Sequence, residues 1–435
     1  MATQADTGTR RPPVGVTTLV FLLALAIFIN ALDRGNFSTA APLIKDELAL
    51  SNTQIGVLIS AFFWTYVPGH FLSGWLSDRV GAYRTLALGL AVWSVATLAT
   101  GLASGFAVIL MLRLLLGLGE SAGWPASSKL LAMHVPGARL ASANAWTGAG
   151  LNLGNGAGIL LGGLMVAQFG WRVLFFAFGA LSLVWLIPWL TFRRPEPLVE
   201  EPKWQPTPIS LPLDGGVLRP ELAAEPTPEP TFADLLARRE LWGAALGHFS
   251  ANYPYFLVLL WLPLYLVKQQ GFSLTQMAWI GGAVYLLSAM FGLIFARIGD
   301  AWIARGATEN RVRKSLILLS ATVGLGCMLA CALGGPRTAV AALLVFSLGN
   351  GIGAFSVFSI GQTLAGPRAA GKWIGLQNGM AGLSGVLGPL ITGWSIDATG
   401  NYRIAFLIAA GIIAAGMIGW GLVIRRIEPI DWNAG

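Results

Sequence analysis

The sequence predicts an all-α membrane protein with twelve transmembrane helices in two pseudo-symmetric six-helix bundles and both termini in the cytoplasm. The 435 residues are 55% hydrophobic and only 11% charged, whereas a soluble domain carries roughly 25% charged residues. Apolar stretches of about 20 residues, the length that crosses a bilayer, recur along the whole chain. A proline-rich segment near the middle divides these stretches into two sets of six.

Each predicted span follows from one apolar stretch. The first set covers about residues 16–43, 53–77, 82–102, 105–132, 139–167 and 171–192. The second set covers about residues 238–267, 274–299, 312–333, 338–365, 372–397 and 402–424. We therefore expect an N-terminal bundle over residues 1–193 and a C-terminal bundle over residues 232–435.

The segment between the bundles, residues 194–231, holds ten of the 23 prolines and seven acidic residues. Such a composition does not build a packed core, because proline breaks regular structure and acidic residues stay hydrated. We interpret the segment as a cytoplasmic linker, too proline-rich to be the output domain of a membrane sensor.

The orientation follows from the basic residues, which are retained on the cytoplasmic side of membrane proteins. With the N-terminus inside, 21 of the 28 Lys and Arg residues fall on cytoplasmic loops, helix ends and tails, five fall outside and two lie within spans. The outer ends of the spans carry Lys45, Arg172, Lys268, Arg337 and Arg403. We expect a multi-pass protein of the bacterial inner membrane. The net charge of +8 needs no nucleic-acid partner to explain it.

Four charged residues lie within predicted spans. Asp33 and Arg34 are in the first span, and Arg113 and Glu120 are in the fourth. An ionisable side chain at the bilayer centre costs about 2.5–3.5 kcal/mol on insertion scales, so such residues normally face a protein interior or a water-filled pathway. Counting residues from the outer ends places both arginines ~12–15 Å deep, in reach of one cavity, and Glu120 deeper at ~22 Å.

The alternative for each pair is a salt bridge that only joins helices. For the first pair there is a further alternative, because the apolar run stops at Leu32 and leaves room for Asp33 and Arg34 in a loop.

The two halves also resemble each other. Gly74 and Asp78 close the second span, and Ala296 and Asp300 stand at the matching place in the eighth. Weak internal symmetry between two six-span halves is typical of transporters whose halves rock about a central site. We therefore predict a conformational gate at the cytoplasmic ends of these spans, formed by Gly74, Asp78, Arg79, Arg84 and Asp300.

Several motifs carry a resemblance to a known family. Residues 74–84, GWLSDRVGAYR, resemble the signature loop of the major facilitator superfamily. Residues 32–36 (LDRGN), 60–66 (SAFFWTY) and 113–120 (RLLLGLGE), with Trp124 and Pro125, resemble the anion:cation symporter family within it. Members of that family move organic anions, often sugar acids such as galactonate, glucarate or hexuronates, together with protons.

The resemblance implies a role for each charged residue in the spans. Asp33 and Glu120 would be the proton carriers, and Arg34 and Arg113 would handle the charge of the substrate and of those acids. Other polar side chains are weaker candidates for the substrate site, because each alone is more often an interhelical hydrogen bond. These candidates are Tyr66, Asn152, Tyr253, Ser359 and Asn378. Phe355 and Phe358 indicate an apolar wall.

The predicted function is proton-coupled symport of a small organic anion, most simply a sugar acid. No phosphate-binding loop, nucleophile elbow or HExxH motif occurs, so we expect neither an enzyme nor a cofactor or metal. An aromatic or short-chain monocarboxylate is the alternative substrate, and anion exchange or proton-driven drug export are the alternative activities. The expected partners are the anion, protons and the lipid bilayer, with the protein acting as a monomer.

Overall fold

The computed structural model describes residues 14–197, 230–353 and 356–432, and the regular elements within them are all helical. Most of the predicted linker lies outside these residues. The N-terminal half contains α1 (Val14–Glu47), α2 (Asn52–Leu76), α3 (Ala82–Thr100), α4 (Phe106–Glu120), α5 (Gly123–His134), α6 (Gly137–Phe169) and α7 (Trp171–Thr191). The C-terminal half contains α8 (Phe232–Ala237), α9 (Arg239–Leu264), α10 (Leu274–Ala304), α11 (Glu309–Leu333), α12 (Pro336–Gly353), α13 (Ser356–Thr399) and α14 (Arg403–Ile418). Single π-helical turns cover Ser77–Gly81, Tyr265–Gln269 and Gly419–Val423.

These helices confirm the predicted fold class. Within the described residues, ten stretches are long and apolar enough to cross a membrane, and one of them, Asn52–Thr100, contains both α2 and α3. The part of α13 beyond Gly366 provides the remaining span, since Gly366 breaks that helix with φ 65° and ψ 174°. The fourth predicted span is divided into α4 and α5. Helix α1 continues without a break to Glu47, so Asp33 and Arg34 are mid-helix residues and not loop residues.

The starts of α2 and α10 reveal a symmetry that the sequence analysis missed. Ser51 and Gln54 form a capping box at the start of α2, in which the Ser51 hydroxyl accepts from the Gln54 backbone N–H. Ser273 and Gln276 form the same box at the start of α10. A capping box satisfies backbone donors that a helix start leaves unpaired. The second and eighth spans therefore begin in the same way, as expected for related halves.

The two halves meet through α2 against α13, α6 against α10, and α1 against α9. We call the end that carries Thr191 and the start of α9 the linker end, and the opposite end, with the α1–α2 turn, the far end. Close helix approach there requires glycine. A β-carbon on Gly56 would lie 2.4 Å from the Pro389 carbonyl oxygen, and one on Gly393 would lie 2.4 Å from the Asn52 carbonyl oxygen.

Asp397 at the end of α13 joins the halves at the far end. Its Oδ1 accepts from the Asn52 backbone N–H (3.1 Å) and Nδ2 (2.8 Å). Its Oδ2 accepts from the Thr53 backbone N–H (2.7 Å) and hydroxyl (2.6 Å). A carboxylate at a helix N-terminus is stabilised by unpaired N–H groups and by the helix dipole. Helix α2 is thus capped by the other half of the molecule. Lys268 and Asp46 form an ion pair between the halves at this end.

The Asp397 contact yields a test of far-end closure. Asparagine offers one acceptor oxygen instead of two and no charge, so Asp397→Asn should weaken closure by about 1 kcal/mol. Ser60 is buried between the halves, where its hydroxyl donates to the Val386 carbonyl. In a chain with Cys327 and Cys331 replaced by alanine and Ser60 by cysteine, Asp397→Asn should raise the maleimide labelling rate about fivefold. Glu428→Gln, which removes an exposed acid, should leave the rate unchanged, and equal rates for both variants would contradict the role of Asp397.

Candidate functional site

The site is built around the Arg34 guanidinium in the N-terminal half. Its Nη2 donates to the Tyr66 hydroxyl (2.8 Å), to Asn30 Oδ1 (3.1 Å) and toward Glu120 Oε2 (3.5 Å). Arg34 is 9% exposed and Glu120 is fully buried. Three helices, α1, α2 and α4, therefore converge on one cation. An arginine offers several donors in a fixed plane, which suits it to binding several acceptors at once.

Local sequence explains this convergence. Asn30 and Arg34 are one helical turn apart on the same face of α1, and Asn30 Nδ2 also donates to the Glu120 carbonyl (3.4 Å). Gly117 lets α4 approach α2 closely, since a β-carbon there would lie 2.1 Å from the Phe62 carbonyl oxygen. Gly117 thus holds α4 close to α2 near the position from which Glu120 reaches Arg34 of α1.

Arg113 is bound differently from the ion pair that the sequence suggested. Its Nε donates to the Leu58 carbonyl (3.1 Å) and its Nη2 toward the Ile59 carbonyl (3.5 Å). Arg113 and Glu120 are seven residues apart in one helix, about 10 Å along the axis, and do not form a direct pair. Arg34 is the ion-pair partner of Glu120. Arg34, and not Arg113, is therefore the cation in contact with Glu120.

The Phe62 ring connects the two arginines. The Arg34 guanidinium carbon lies 5.6 Å from the ring centroid, and that of Arg113 lies 5.1 Å from it. The two carbons are therefore at most 10.7 Å apart, the sum of these distances. Phe37 also lies under Arg113, at 5.0 Å. Cations over aromatic faces are held without neutralisation of their charge, so both arginines keep positive charge for an anion.

Asp33 faces away from this cluster. Its Oδ1 accepts from Asn36 Nδ2 (2.9 Å), and its Oδ2 accepts from the Ser182 hydroxyl on α7 (2.9 Å). The residue is 1% exposed. Among the described residues, no cationic group lies within ion-pair distance of this carboxylate. Successive helix residues point about 100° apart, so Asp33 and its neighbour Arg34 serve different sides of α1. The structure brings Arg34, Arg113, Glu120 and Tyr66 together and leaves Asp33 beside α7.

The C-terminal half reaches the site through α9. Asn155 Nδ2 of α6 donates to the Tyr255 hydroxyl (2.9 Å), and this hydroxyl is within electrostatic reach of Arg34. Phe63 and Phe256 pack edge to face across the same boundary, with ring centroids 5.0 Å apart. Tyr253, the residue predicted from the sequence, packs instead toward Gly388 of α13. Tyr255 is thus the α9 tyrosine on the side of the arginines.

The other predicted substrate residues, Asn152, Ser359 and Asn378, lie on α6 and α13. Asn152 donates to the Gly148 carbonyl of its own helix (3.3 Å), Asn378 is exposed, and Ser359 is half-buried. Phe355 is outside the described residues. Within the described part of the chain, no group of three or more His, Cys, Asp or Glu is placed to hold a metal ion.

The predicted gate residues all lie at the linker end. Asp78 pairs with Lys129 of the same half (3.0 Å), with its own side chain 75% exposed. Arg79 lies over the Trp75 ring, 4.6 Å from its centroid. Arg84 and Asp300 are exposed. A β-carbon on Gly74 would meet no neighbouring atom within 4 Å. Gly74 therefore does not mediate a close helix approach of the kind that Gly56 and Gly393 mediate at the far end.

Sequence reasoning missed four residues of the site. Asn30 could have been found, because it precedes Arg34 by one helical turn and is polar in an apolar helix. Phe37 gave no signal, since aromatic residues occur in many spans, and Phe62 belongs to the 60–66 motif but its contact with both arginines was not predicted. Ser182 gave none either, because its partner lies on a helix 149 residues away in sequence.

Comparison with known proteins agrees with the fold and with the motifs. A family model described as Major Facilitator Superfamily matches residues 23–385. The chain is 30% identical over 411 residues to the probable anion transporter 4, chloroplastic, of Oryza sativa subsp. japonica, covering 93% of this chain and 68% of that protein. It is 29% identical over 427 residues to the hexuronate transporter of Bacillus subtilis, covering 95% and 94%. It is 28% identical over 426 residues to a probable sulfoacetate transporter of Cupriavidus necator, covering 94% of each.

Solved structures share the same architecture. A bacterial homolog of the human lysosomal transporter Spinster, in an inward-facing and occupied conformation, matches with a TM-score of 0.76 at 17% identity over 96% of this chain and 98% of that one. A D-xylose–proton symporter matches with a TM-score of 0.70 at 14% identity, over 94% and 98%. At these identities the likeness concerns the fold alone.

The Arg34–Glu120 pair yields a test of the site's electrostatics. Glu120→Ala leaves a buried guanidinium without its counter-charge, so unfolding in detergent should require about 3 kcal/mol less free energy. Glu120→Gln keeps an acceptor for Arg34 and should cost less. Arg34→Met combined with Glu120→Ala should recover most of the loss, because the uncompensated charge is gone. Strictly additive effects of the two substitutions would show that the two side chains do not interact.

Proposed function

This chain belongs to the major facilitator superfamily, and we propose that it is a proton-coupled symporter of a small organic anion, a carboxylate such as a sugar acid, in the bacterial inner membrane. The main support is the pair of buried arginines that both lie over the Phe62 ring, to which Glu120 is the one carboxylate bound among the described residues. Such a cluster holds surplus positive charge in an apolar surrounding. An anion that enters it neutralises that surplus.

Arg113 is the proposed carboxylate anchor. Among the described residues, its hydrogen bonds to the Leu58 and Ile59 carbonyls use two of the five N–H donors of a guanidinium. The remaining donors suit a bidentate contact with a carboxylate. Arg34 adds a second positive charge, and Tyr66 and Tyr255 offer hydroxyls that can bond to the rest of a hydroxylated substrate.

Coupling to protons follows from competition for Arg34. The substrate carboxylate and Glu120 are both anions, and Arg34 binds Glu120 at 3.5 Å. As the substrate approaches, it weakens the hold of Arg34 on Glu120, and an isolated buried carboxylate is very unfavourable. Glu120 therefore takes a proton. Asp33, already bound only by neutral donors, is the second proposed proton site.

Alternating access is supported by the unequal ends of the molecule. In the predicted orientation the far end faces outward, so the Asp397 and Gly56 contacts close the outer side. The linker end then faces the cytoplasm with its signature loop exposed. Release of the far-end contacts, with pairing of the linker ends, would expose the site to the other side.

The relatives support an anionic substrate. Two of these relatives are named for hexuronate and sulfoacetate, which are small organic anions. An aromatic or short-chain monocarboxylate is the second candidate for this chain. The stacked Phe62 and Tyr66 rings, 4.9 Å apart, and the Phe63–Phe256 pair favour a substrate with an apolar face.

Uptake into proteoliposomes tests the proposal. Thermal-shift screening of D-glucuronate, D-galactonate, sulfoacetate and benzoate at two pH values selects the substrate, which is then supplied outside with an inward proton gradient. We expect the wild-type protein to concentrate it and a protonophore to abolish the accumulation. Glu120→Gln should lose accumulation but keep exchange of internal for external substrate, because a neutral side chain cannot release a proton. Arg113→Ala should bind the substrate at least tenfold more weakly.

The controls separate symport from its alternatives. Glu428→Gln, at an exposed position, should behave like the wild-type protein. Accumulation by Glu120→Gln at the wild-type level would remove Glu120 from the coupling mechanism. Wild-type uptake that depends on internal substrate and ignores the proton gradient would identify an anion exchanger.

A further inference from the structure

Ser182 on α7 occupies an unusual position next to Asp33. Its Oγ lies 2.9 Å from Asp33 Oδ2 and 2.9 Å from the Phe178 carbonyl oxygen, one turn earlier in α7. The residue is fully buried. A serine hydroxyl has one hydrogen to donate and can accept through its lone pairs. Ser182 therefore faces two acceptors with one hydrogen, and only one of them can receive it at a time.

The protonation state of Asp33 decides which of the two acceptors receives the Ser182 hydrogen. Asn36 donates to the other carboxylate oxygen, Oδ1. Helix α6 presents glycines 158 and 162 beside this stretch of α1. Arg34 is adjacent to Asp33 in the chain, but its guanidinium is bonded to Tyr66. Glu120 of α4 acts on Asp33 through space. Ser182 is the group that α7 contributes.

We propose that Ser182 is a positioning residue for the proton on Asp33, with its hydroxyl rotating between two hydrogen-bonded states. When Asp33 is ionised, Ser182 donates its hydrogen to Oδ2, a charge-assisted bond. When Asp33 carries a proton, the acid donates to Ser182 Oγ, and the serine hydrogen turns to the Phe178 carbonyl. No buried polar group loses its partner in either state, so the proton can come and go without repacking of the helices.

This inference rests on the proposed function, because it assigns Asp33 to proton exchange. It also assigns different roles to the two acids, Glu120 and Asp33. Glu120 responds to the substrate through Arg34, whereas Asp33 exchanges its proton against a neutral hydroxyl on another helix. The Asp33 proton is thus linked to the packing of α1 against α7.

The test uses infrared spectroscopy of the reconstituted full-length protein, which needs no substrate. A pH titration should show the carbonyl stretch of a protonated carboxylic acid, and Asp33→Asn should remove that band. Ser182→Ala takes a donor from the ionised form, so the band should appear at a pH about one unit higher. Its frequency should also rise, because the acid no longer bonds to the serine. Ser182→Thr, which retains the hydroxyl, should restore both values.

Ser94→Ala is the matched control. Ser94 is also fully buried in a helix of the same half, and its hydroxyl donates to the Leu90 carbonyl one turn earlier. The Ser94→Ala substitution should leave the Asp33 band unchanged. If Ser182→Ala gives the same titration as Ser94→Ala, or if no band depends on Asp33, the inference is overturned. Proton-driven uptake in proteoliposomes decides the proposed function separately, so either conclusion can fail without the other.

Discussion

The burial of the Arg34 guanidinium is the constraint on which the N-terminal half depends. A cation inside an apolar bundle is unfavourable unless its donors and charge are met by the protein. Asn30, Tyr66 and Glu120 meet them from three helices. Gly117 of α4 permits the close approach of that helix to α2, from which Glu120 reaches Arg34. The burial of Arg34 therefore constrains both the helix packing and the arrangement of charges in this half.

Most of the fold was predictable from the sequence, because span length and hydrophobicity are local properties. The site was predictable only in part. Arg34, Arg113, Glu120 and Asp33 stood out as charges in apolar spans, but their pairing depends on which side of a helix meets which neighbour. A seven-residue spacing places Arg113 and Glu120 on one helix face, but it also separates them by about 10 Å along the helix axis, too far for a direct ion pair. Tyr255 and Tyr253 were equally plausible on sequence, and only the rotation of α9 separates them.

The two acids of the N-terminal half have different physical settings. Glu120 has a cationic neighbour, Arg34, so another anion that competes for Arg34 would change its environment. Within the described part of the chain, Asp33 has only amide and hydroxyl partners within hydrogen-bond distance, so a shift of α1 against α7 would change its environment. The two acids are therefore suited to different responses, one to a bound anion and one to helix packing.

The far end closes unevenly. Asp397 stands four residues after Gly393, and the matching position four residues after Gly163 in α6 is Ala167. Helix α2 receives a carboxylate at its start, whereas Ala167 carries no acceptor group that could cap α10 in the same way. Separation of the halves should therefore begin between α6 and α10, while α2 and α13 are still in contact. An entering solute would meet a slot along one flank before a symmetrical funnel forms.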